Sequence, residues 1–334
     1  MNRTLLLLLV LLGLGGLTYW MLQRPAPGEA RSLTWEREFK VPADDIYKVF
    51  LYNRKTDTRT TLERRGDGWL VDGQHPVNPN IIKNFLATLS TVQLNYVPGE
   101  AAVLPAAETM ATQGISVEIF GRDGEALKKY IIGGNNATSQ GTYALIEGSE
   151  QPQVVSLPFF SGTVRTLYAL HGDAWRDKAL FDFDPAELVE LTVDYPKQRS
   201  RSFVLRRVNG TDTVLPLYST TAKLGERPAP GLVDEYLDTF GRKLGEAFIN
   251  RNPRRAAVTA TLPFAVFTVK NRDGIERVVK LWPQASEDTE GRLKTTEYER
   301  YFVELTQGEQ TDFMAAQHRV ISPVFRDYAY FYGG

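Results

Sequence analysis

The 334-residue chain contains two successive stretches in which the same pattern of elements recurs in the same order. Each stretch opens with an acidic turn and an apolar strand, near Asp44 in the first and near Pro185 in the second, and a hairpin pattern follows. A later hairpin turn contains Arg-Asp-Gly in both, beginning at Arg122 and at Arg272. Because hairpins are common in any β-rich chain, chance is the alternative, but six elements in one order favour a tandem duplication.

The clearest helix pattern begins at Asn78, which suits an N-cap, with Pro79 in the first helical position. The apolar residues that follow at helical spacing are Ile81, Ile82, Phe85, Leu86 and Leu89, and in the second stretch Leu232, Val233, Tyr236, Leu237 and Phe240. The sequence therefore predicts an α+β fold with two tandem, structurally related units, each an antiparallel sheet with a helix packed over it.

Residues 4–22 form an apolar stretch of nineteen residues without a charge. As a helix the stretch is roughly 28 Å long, close to the thickness of a bilayer core. Tyr19 and Trp20 lie at its end, where aromatic rings favour the headgroup layer. We therefore expect a transmembrane anchor over residues 1–24, contacting lipid through residues 4–22, then a linker over 25–32, a first unit over 33–172 and a second over 173–334.

Two other interpretations of the apolar stretch are a cleaved signal peptide, with a small-x-small site at Gly28-Glu29-Ala30, and a buried core helix. The stretch is longer than a usual signal h-region and apolar on all sides, which favours an anchor. Basic residues are more numerous after the stretch than before it, but long domains cross the membrane largely regardless of charge. We expect a single-pass protein of the inner (cytoplasmic) membrane with its body on the periplasmic side.

Composition excludes several kinds of site. The net charge is −1, whereas a protein that binds nucleic acid by neutralising phosphates is usually basic, so no nucleic acid is expected as a partner. The chain has no cysteine, and its three histidines are far apart in sequence. Phosphate-loop, serine-elbow and zinc-helix motifs are absent from the sequence, so we predict no catalytic residue, cofactor or metal ligand.

The segment from Trp175 to Glu187 joins the two stretches. Its Asp182, Asp184 and Glu187 are either a cation site or, as the spacing favours, a helix cap in which Asp184 is the N-cap. Its aromatic residues are expected to pack between the units or to contact a partner. The predicted interface residues are Trp175, Arg176, Asp177, Phe181, Phe183 and Tyr143.

Two surface patterns remain. Basic residues cluster at Lys197, Arg199, Arg201, Arg206 and Arg207, and this cluster is expected to be a solvated face rather than a site for anionic lipid or polymer. Aromatic residues cluster at the C-terminal end, at 328–332, where we expect them to complete the core of the second unit.

Short motifs carry a resemblance to a known family: Gly-Asp-Gly-Trp-Leu-Val-Asp-Gly at 66–73, Gly-Thr-Tyr at 141–143 and Trp-Arg-Asp-Lys at 175–178. With the N-terminal apolar stretch, these motifs resemble an uncharacterised bacterial membrane-anchored family, the domain of unknown function numbered 4340. That family is associated with gliding-motility-type ABC transporter components. The resemblance implies an envelope protein that works with a transporter-like membrane complex, and it brings no catalytic residues.

The favoured hypothesis is a non-catalytic, membrane-anchored envelope protein that binds a protein partner in a transport or surface-machinery complex. Two alternatives use a groove between the units. One is an extracytoplasmic hydrolase with paired carboxylates, and the other is a protein that binds a small ligand or a polymer.

Overall fold

The computed structural model describes residues 38–333, apart from 159, 161, 209, 285, 288–292 and 295–297. The chain divides into two compact units, Met1–Asp177 and Lys178–Gly334. The sequence prediction placed this boundary between residues 172 and 173, and the predicted anchor (1–24) and linker (25–32) lie outside the described residues.

The first unit is a nine-stranded antiparallel sheet with helices on it. Its elements in chain order are β1 (Lys48–Asn53), β2 (Thr58–Arg65), β3 (Gly68–Val71), β4 (His75–Pro76), α1 (Pro79–Thr91), β5 (Gln93–Tyr96), α2 (Glu100–Gln113), β6 (Ile115–Phe120), β7 (Ala126–Asn135), β8 (Thr142–Ile146), β9 (Gln153–Ser156) and α3 (Arg165–Tyr168). The strand order is β4-β3-β2-β1-β6-β7-β8-β9-β5.

Helix α1 covers the inner face of this sheet. As predicted, the side chain of Asn78 caps it by accepting hydrogen bonds from the backbone N–H groups of Asn80 and Ile81, at 3.0 and 3.3 Å. Phe85 and Leu89 of α1 are fully buried in one core with the inward side chains of the strands. The cap and the apolar face therefore fix both the start of the helix and the side that it buries.

Helix α2 lies against the opposite, outer face. Met110 is almost fully buried there, above Gly133 of β7 and Tyr143 of β8. The guanidinium of Arg165 donates hydrogen bonds to the carbonyl oxygens of Ile132 and Gly133 on β7, and to that of Gln113 at the end of α2. The first sheet is thus covered on both faces by helices of its own unit.

The second unit has an eight-stranded antiparallel sheet and shorter helices. Its elements are β10 (Ala179–Phe181), β11 (Leu188–Asp194), β12 (Phe203–Val208), β13 (Thr211–Pro216), α4 (Leu232–Asp238), β14 (Lys243–Leu244), β15 (Ala247–Phe248), α5 (Arg255–Thr259), β16 (Ala265–Asn271), β17 (Glu276–Gln284), β18 (Ser286–Glu287), β19 (Leu293–Lys294), β20 (Arg300–Gln307), β21 (Gln310–Gln317) and α6 (His318–Ile321). Strands β10 and β14 pair separately, as do β18 and β19.

The two large sheets share one strand order. The second runs β13-β12-β11-β16-β17-β20-β21-β15, which matches the order β3-β2-β1-β6-β7-β8-β9-β5 of the first, strand for strand. Elements also follow one another in the same order along the chain, with α4 at the place of α1 and α5 at the place of α2. This topology is compatible with the predicted tandem pair of related units.

Aromatic side chains fill the core of the second unit. Tyr236 of α4 contacts Phe203, Phe240 and Phe331 with ring centroids 5.1–5.8 Å apart. Tyr328 and Phe331, in a 3₁₀ turn near the C-terminal end, are buried in this core. The prediction that the aromatic residues at 328–332 complete the second unit is confirmed for these two.

The predicted fold class, α+β with a transmembrane helix, is wrong. The described residues are mainly antiparallel β-sheet, and among them no helix is long and apolar enough to cross a membrane. The longest, α2, has 14 residues and spans only about 21 Å. The apolar spacing from Leu232 to Phe240 gives a helix of only seven residues, Leu232–Asp238. The apolar stretch at residues 4–22 lies outside the described residues.

A first prediction concerns the contact between α2 and β7. A Cβ at Gly133 would lie 2.7 Å from the Cγ of Met110 and 3.1 Å from the Cβ of Tyr143, whereas a Cβ at Gly134 meets no described atom within 4 Å. We expect Gly133→Val to lower the free energy of unfolding by about 1–3 kcal/mol through overpacking. Gly134→Val should change it by less than about 0.5 kcal/mol. Urea unfolding measures both, and equal losses would contradict the packing described here.

A second feature of the first core is a pair of buried tyrosines. The hydroxyls of Tyr130 and Tyr168 are hydrogen-bonded at 3.0 Å, and both side chains are buried. Burial raises the pKa of each hydroxyl well above its ordinary value. Above about pH 10 the unfolded chain loses these protons while the folded chain keeps them, so stability falls as the pH rises.

We therefore expect the double substitution Tyr130→Phe with Tyr168→Phe to reduce this alkaline loss and to be nearly neutral at pH 7, because it removes both partners. Tyr130→Phe alone should cost about 1–3 kcal/mol, because it leaves the hydroxyl of Tyr168 unpaired. Urea unfolding at about pH 8 and about pH 11 checks both results. An unchanged alkaline loss in the double variant would contradict this assignment.

Candidate binding cleft

The outer face of the second sheet carries an aromatic cluster separate from the main core. It consists of Trp282 on β17, Phe302 on β20 and Phe313 on β21, with Val258 of α5 packed against it. The rings of Phe302 and Phe313 are stacked at a centroid distance of 5.5 Å. Large apolar side chains are thus buried on both faces of this sheet.

The strand registers show which residues of the two units correspond. Ile115 pairs with Ile132 in the first sheet, and Ala265 pairs with Leu281 at the matching place in the second. The residue that follows on the outer face is Gly133 in the first unit and Trp282 in the second. By the same reasoning Phe302, which pairs with Trp282, corresponds to Tyr143.

The outer helix of the second unit covers less of its sheet. Helix α5 has 5 residues and spans about 7.5 Å, against 14 residues and about 21 Å for α2. The indole N–H of Trp282 donates a hydrogen bond of 3.1 Å to the carbonyl oxygen of Thr261, just after α5. The guanidinium of Arg254 lies 5.4 Å from the ring centre of Phe302, in cation–π geometry.

Beside α5 a cleft of about 600 Å³ opens on this face, here called the aromatic cleft. It is lined by Lys197, Arg254, Ala257, Val258, Thr261, Leu262, Phe264, Trp282, Pro283, Tyr298 and Phe302. Leu262 is 62% exposed and Tyr298 is 41% exposed, while Trp282 at the base is only 5% exposed. A cleft with an aromatic base and exposed apolar walls is typical of a binding site.

The charged residues among the described lining of the aromatic cleft are both cations. Lys197 and Arg254 are exposed, and none of the described residues that line the cleft is an aspartate or a glutamate. A positive rim around apolar walls suits a ligand that combines apolar groups with negative charge. Among the described lining residues there are no paired carboxylates such as hydrolysis by general acid and base catalysis requires.

A smaller cavity of about 410 Å³ adjoins Tyr298 and is lined also by Glu299, Arg300, Gln317, His318 and Arg319. The Nδ1 of His318 lies 3.0 Å from the hydroxyl of the buried Tyr301, and the two rings are stacked. Burial raises the pKa of Tyr301 to about 12, so the hydroxyl is neutral at physiological pH. Arg300 is held by both carboxylate oxygens of Glu246. His318 and Arg300 therefore have structural partners.

Four of the six predicted interface residues lie in the first unit, and three of these, Trp175, Arg176 and Asp177, lie around its core. Trp175 is fully buried, with its ring 5.1 Å from that of Phe85 and its indole N–H bonded to the carbonyl oxygen of Leu170. Arg176 is also buried and donates to a carboxylate oxygen of Asp173. The backbone N–H of Asp177 bonds to the carbonyl oxygen of Pro76. Each of these contacts is made within the first unit and does not depend on a partner protein.

The other three predicted residues are also packed within their own units. Phe181 is fully buried beside Phe240 and Phe267, and Phe183 packs 5.5 Å from Phe240. Tyr143 lies half-buried on β8 beside Gly133. Core packing within each unit accounts for the contacts of Trp175, Phe181 and Phe183, and a partner or inter-unit interface at the six residues stays a prediction.

The carboxylates at the joint have local partners. The side chain of Asp184 accepts a hydrogen bond from the backbone N–H of Ala186, which confirms the predicted cap, although it begins a 3₁₀ turn. Asp182 pairs with Arg242, and Glu187 lies 3.9 Å from Arg272. Among the described residues, no three His, Asp or Glu side chains are grouped so that they could hold a metal ion.

The basic cluster is likewise bound within its unit. Arg206 pairs with Glu190, and Arg207 pairs with Asp212 and Asp234. Two further members lie over aromatic rings, Arg199 over Tyr218 and Arg201 over Tyr195. Lys197 differs, because it lines the aromatic cleft.

Sequence reasoning missed Trp282, Phe302 and Arg254. A signal was present in the strands themselves, because Leu281-Trp282 and Tyr301-Phe302-Val303 are consecutive apolar residues. A strand with one solvated face alternates apolar and polar residues, so uninterrupted apolar runs indicate burial on both faces.

We expect Trp175→Ala to lower the free energy of unfolding by about 3–5 kcal/mol, because it removes a fully buried ring and its hydrogen bond. Leu104→Ala, at a residue of α2 that is 66% exposed, should change it by less than about 0.5 kcal/mol. Denaturant unfolding followed by circular dichroism compares them. A Trp175→Ala protein as stable as the wild type would place the ring at a surface instead.

One comparison with known proteins identifies a family. A family model described as "Domain of unknown function (DUF4340)" matches residues 69–245, which is just over half of the chain. No curated protein matches the sequence.

Proposed function

Since the chain belongs to the DUF4340 family, a domain of unknown function, we propose from its aromatic cleft that it is a non-catalytic interaction module. Its partner is a protein, held in a transport or surface-machinery complex of the cell envelope. The cleft of the second unit is the contact site in this proposal.

The observation that carries the proposal is the combination of exposed apolar walls, an aromatic base and two cations in one cleft. Leu262 and Tyr298 are large apolar side chains left exposed to solvent beside the buried ring of Trp282. Protein interfaces are rich in Trp, Tyr and Arg, and a few such residues contribute most of the binding energy. Exposed apolar groups next to such an anchor favour a protein contact over an unused surface.

The place of action is proposed from the sequence. The uncharged residues 4–22 support a site at the inner (cytoplasmic) membrane, with the folded body on the periplasmic side. The resemblance to proteins associated with gliding-motility-type ABC transporter components supports a membrane complex as the partner.

Site-specific photo-crosslinking in the source cells tests this proposal. A photoreactive phenylalanine analogue replaces Leu262 in the cleft or, as a control, Ile275, which is 47% exposed in a turn far along the same sheet. We expect a discrete adduct with an envelope protein from position 262 and none from position 275. Equal adducts from both positions, or none from position 262, would contradict a protein contact at the cleft.

We also expect Leu262→Glu to lower the yield of that complex in mild detergent by about tenfold, because it puts a charge into an apolar contact. The free energy of unfolding should change by less than about 0.5 kcal/mol, because Leu262 is exposed. Ile275→Glu is the matched control and should leave the yield unchanged. An unchanged yield for Leu262→Glu would remove the cleft from the interface.

A further inference from the structure

We infer that the partner segment in the aromatic cleft is an acidic, amphipathic α-helix. This inference rests on the proposed function and names the shape and charge of the segment that the cleft takes. It follows from a comparison of the two units, because the first unit already holds a helix on the matching face of its sheet.

Helix α2 shows how this sheet face takes a helix. It buries Ala106 and Met110, one helical turn apart, against the outer face of the first sheet. Met110 lies over Gly133 and Tyr143, whose counterparts in the second unit are Trp282 and Phe302. The outer face that α2 covers in the first unit therefore corresponds to the face that carries the aromatic cleft in the second.

Gly133 in the first unit corresponds to Trp282 in the second, and this difference explains why the second unit does not cover this sheet face by itself. Without a Cβ at Gly133, the side chain of Met110 reaches the backbone of β7. The indole of Trp282 stands at that place and donates a hydrogen bond to the carbonyl oxygen of Thr261, so the chain just after α5 contacts the ring. Five residues of α5 in place of the fourteen of α2 leave an open length of sheet, and the cleft of about 600 Å³ lies there.

Charge complementarity selects an acidic helix. Lys197 and Arg254 are exposed at the cleft, and no carboxylate lies among its described lining residues. The helix that covers the matching face of the first unit is itself acidic, since α2 contains Glu100 and Glu108 but neither lysine nor arginine. A helix that presents apolar side chains between flanking carboxylates would meet the aromatic rings and both cations together.

Designed peptides test the helix and its charge. The probe is a fluorescein-labelled 18-residue peptide of about four turns, with leucines on one face, glutamates on both flanks and alanine elsewhere. A second peptide carries lysine in place of every glutamate, and a third carries two central prolines that break the helix. Binding is measured by fluorescence anisotropy on the full-length protein in mild detergent.

We expect the acidic helix to bind at least about tenfold more tightly than either of the other peptides. The double variant Lys197→Glu with Arg254→Glu should reverse this preference, towards the lysine peptide. The control Lys223→Glu with Arg272→Glu makes the same change in net charge at two exposed cations outside the cleft and should keep the wild-type preference.

Three results would overturn the inference. The first is binding of the proline peptide as tight as that of the acidic helix, which indicates an extended segment. The second is no reversal of the peptide preference in the Lys197 and Arg254 variant. The third is displacement of the acidic peptide by short-chain phosphatidylglycerol, which indicates a lipid headgroup site. If position 262 still crosslinks to an envelope protein while the acidic helix does not bind, the inference fails and the proposed function stands. If neither occurs, both fail.

Discussion

An antiparallel sheet has two faces, and the burial of apolar side chains on the first of them holds each unit together. In both units β1 and its counterpart β11 lie between two antiparallel neighbours, and their inward residues, such as Val49 and Leu191, are fully buried. Each such side chain contributes about 1.5–3 kcal/mol when it leaves water, so this face decides the register of the whole sheet. The second face of each sheet needs its own cover, and the two units cover it differently.

The first unit closes its second face with α2, fixed by the close approach of Met110 to Gly133 and by the three hydrogen bonds that Arg165 donates to carbonyl oxygens. The second unit places aromatic rings there and a short helix over part of them. Trp282 and Phe302 are buried by this partial cover, whereas Leu262 and Tyr298 stay exposed at its edge. The aromatic cleft is therefore a consequence of the same strand order with a different outer layer.

Local sequence signals were sufficient for features that depend on neighbouring residues. The cap at Asn78, the apolar face of α1 and the cap at Asp184 all follow from spacing within one turn, and the structure has them. The order of the hairpins and of the first helix in each unit was also visible in the sequence, whereas α2 and α5 were not predicted. These signals say less about the fold class, because strands pair over long sequence distances while helix patterns are local.

The aromatic residues show the same limit at the level of the site. Trp175 and Phe181 belong to a distinctive motif, and the sequence predicted that they form an interface. Their contacts come from elements far along the chain: Trp175 packs against Phe85, and Phe181 packs against Phe267. Trp282 stands in no motif, and its role depends on the pairing of β17 with β20 and on the shortness of α5. A residue's neighbours across the sheet, rather than its neighbours in sequence, decided whether it became core or cleft.

The extent of the family match bears on what membership means for function. The matched residues 69–245 include α2, β7 and most of the first sheet, but they end before α5, Trp282, Tyr298 and Phe302. Of the charged residues at the cleft, Lys197 lies inside the match and Arg254 outside it. Family membership therefore describes the scaffold more than the proposed contact surface. The proposed specificity of the cleft depends on its own side chains, since the outer layer can change while the paired strands beneath it keep their order.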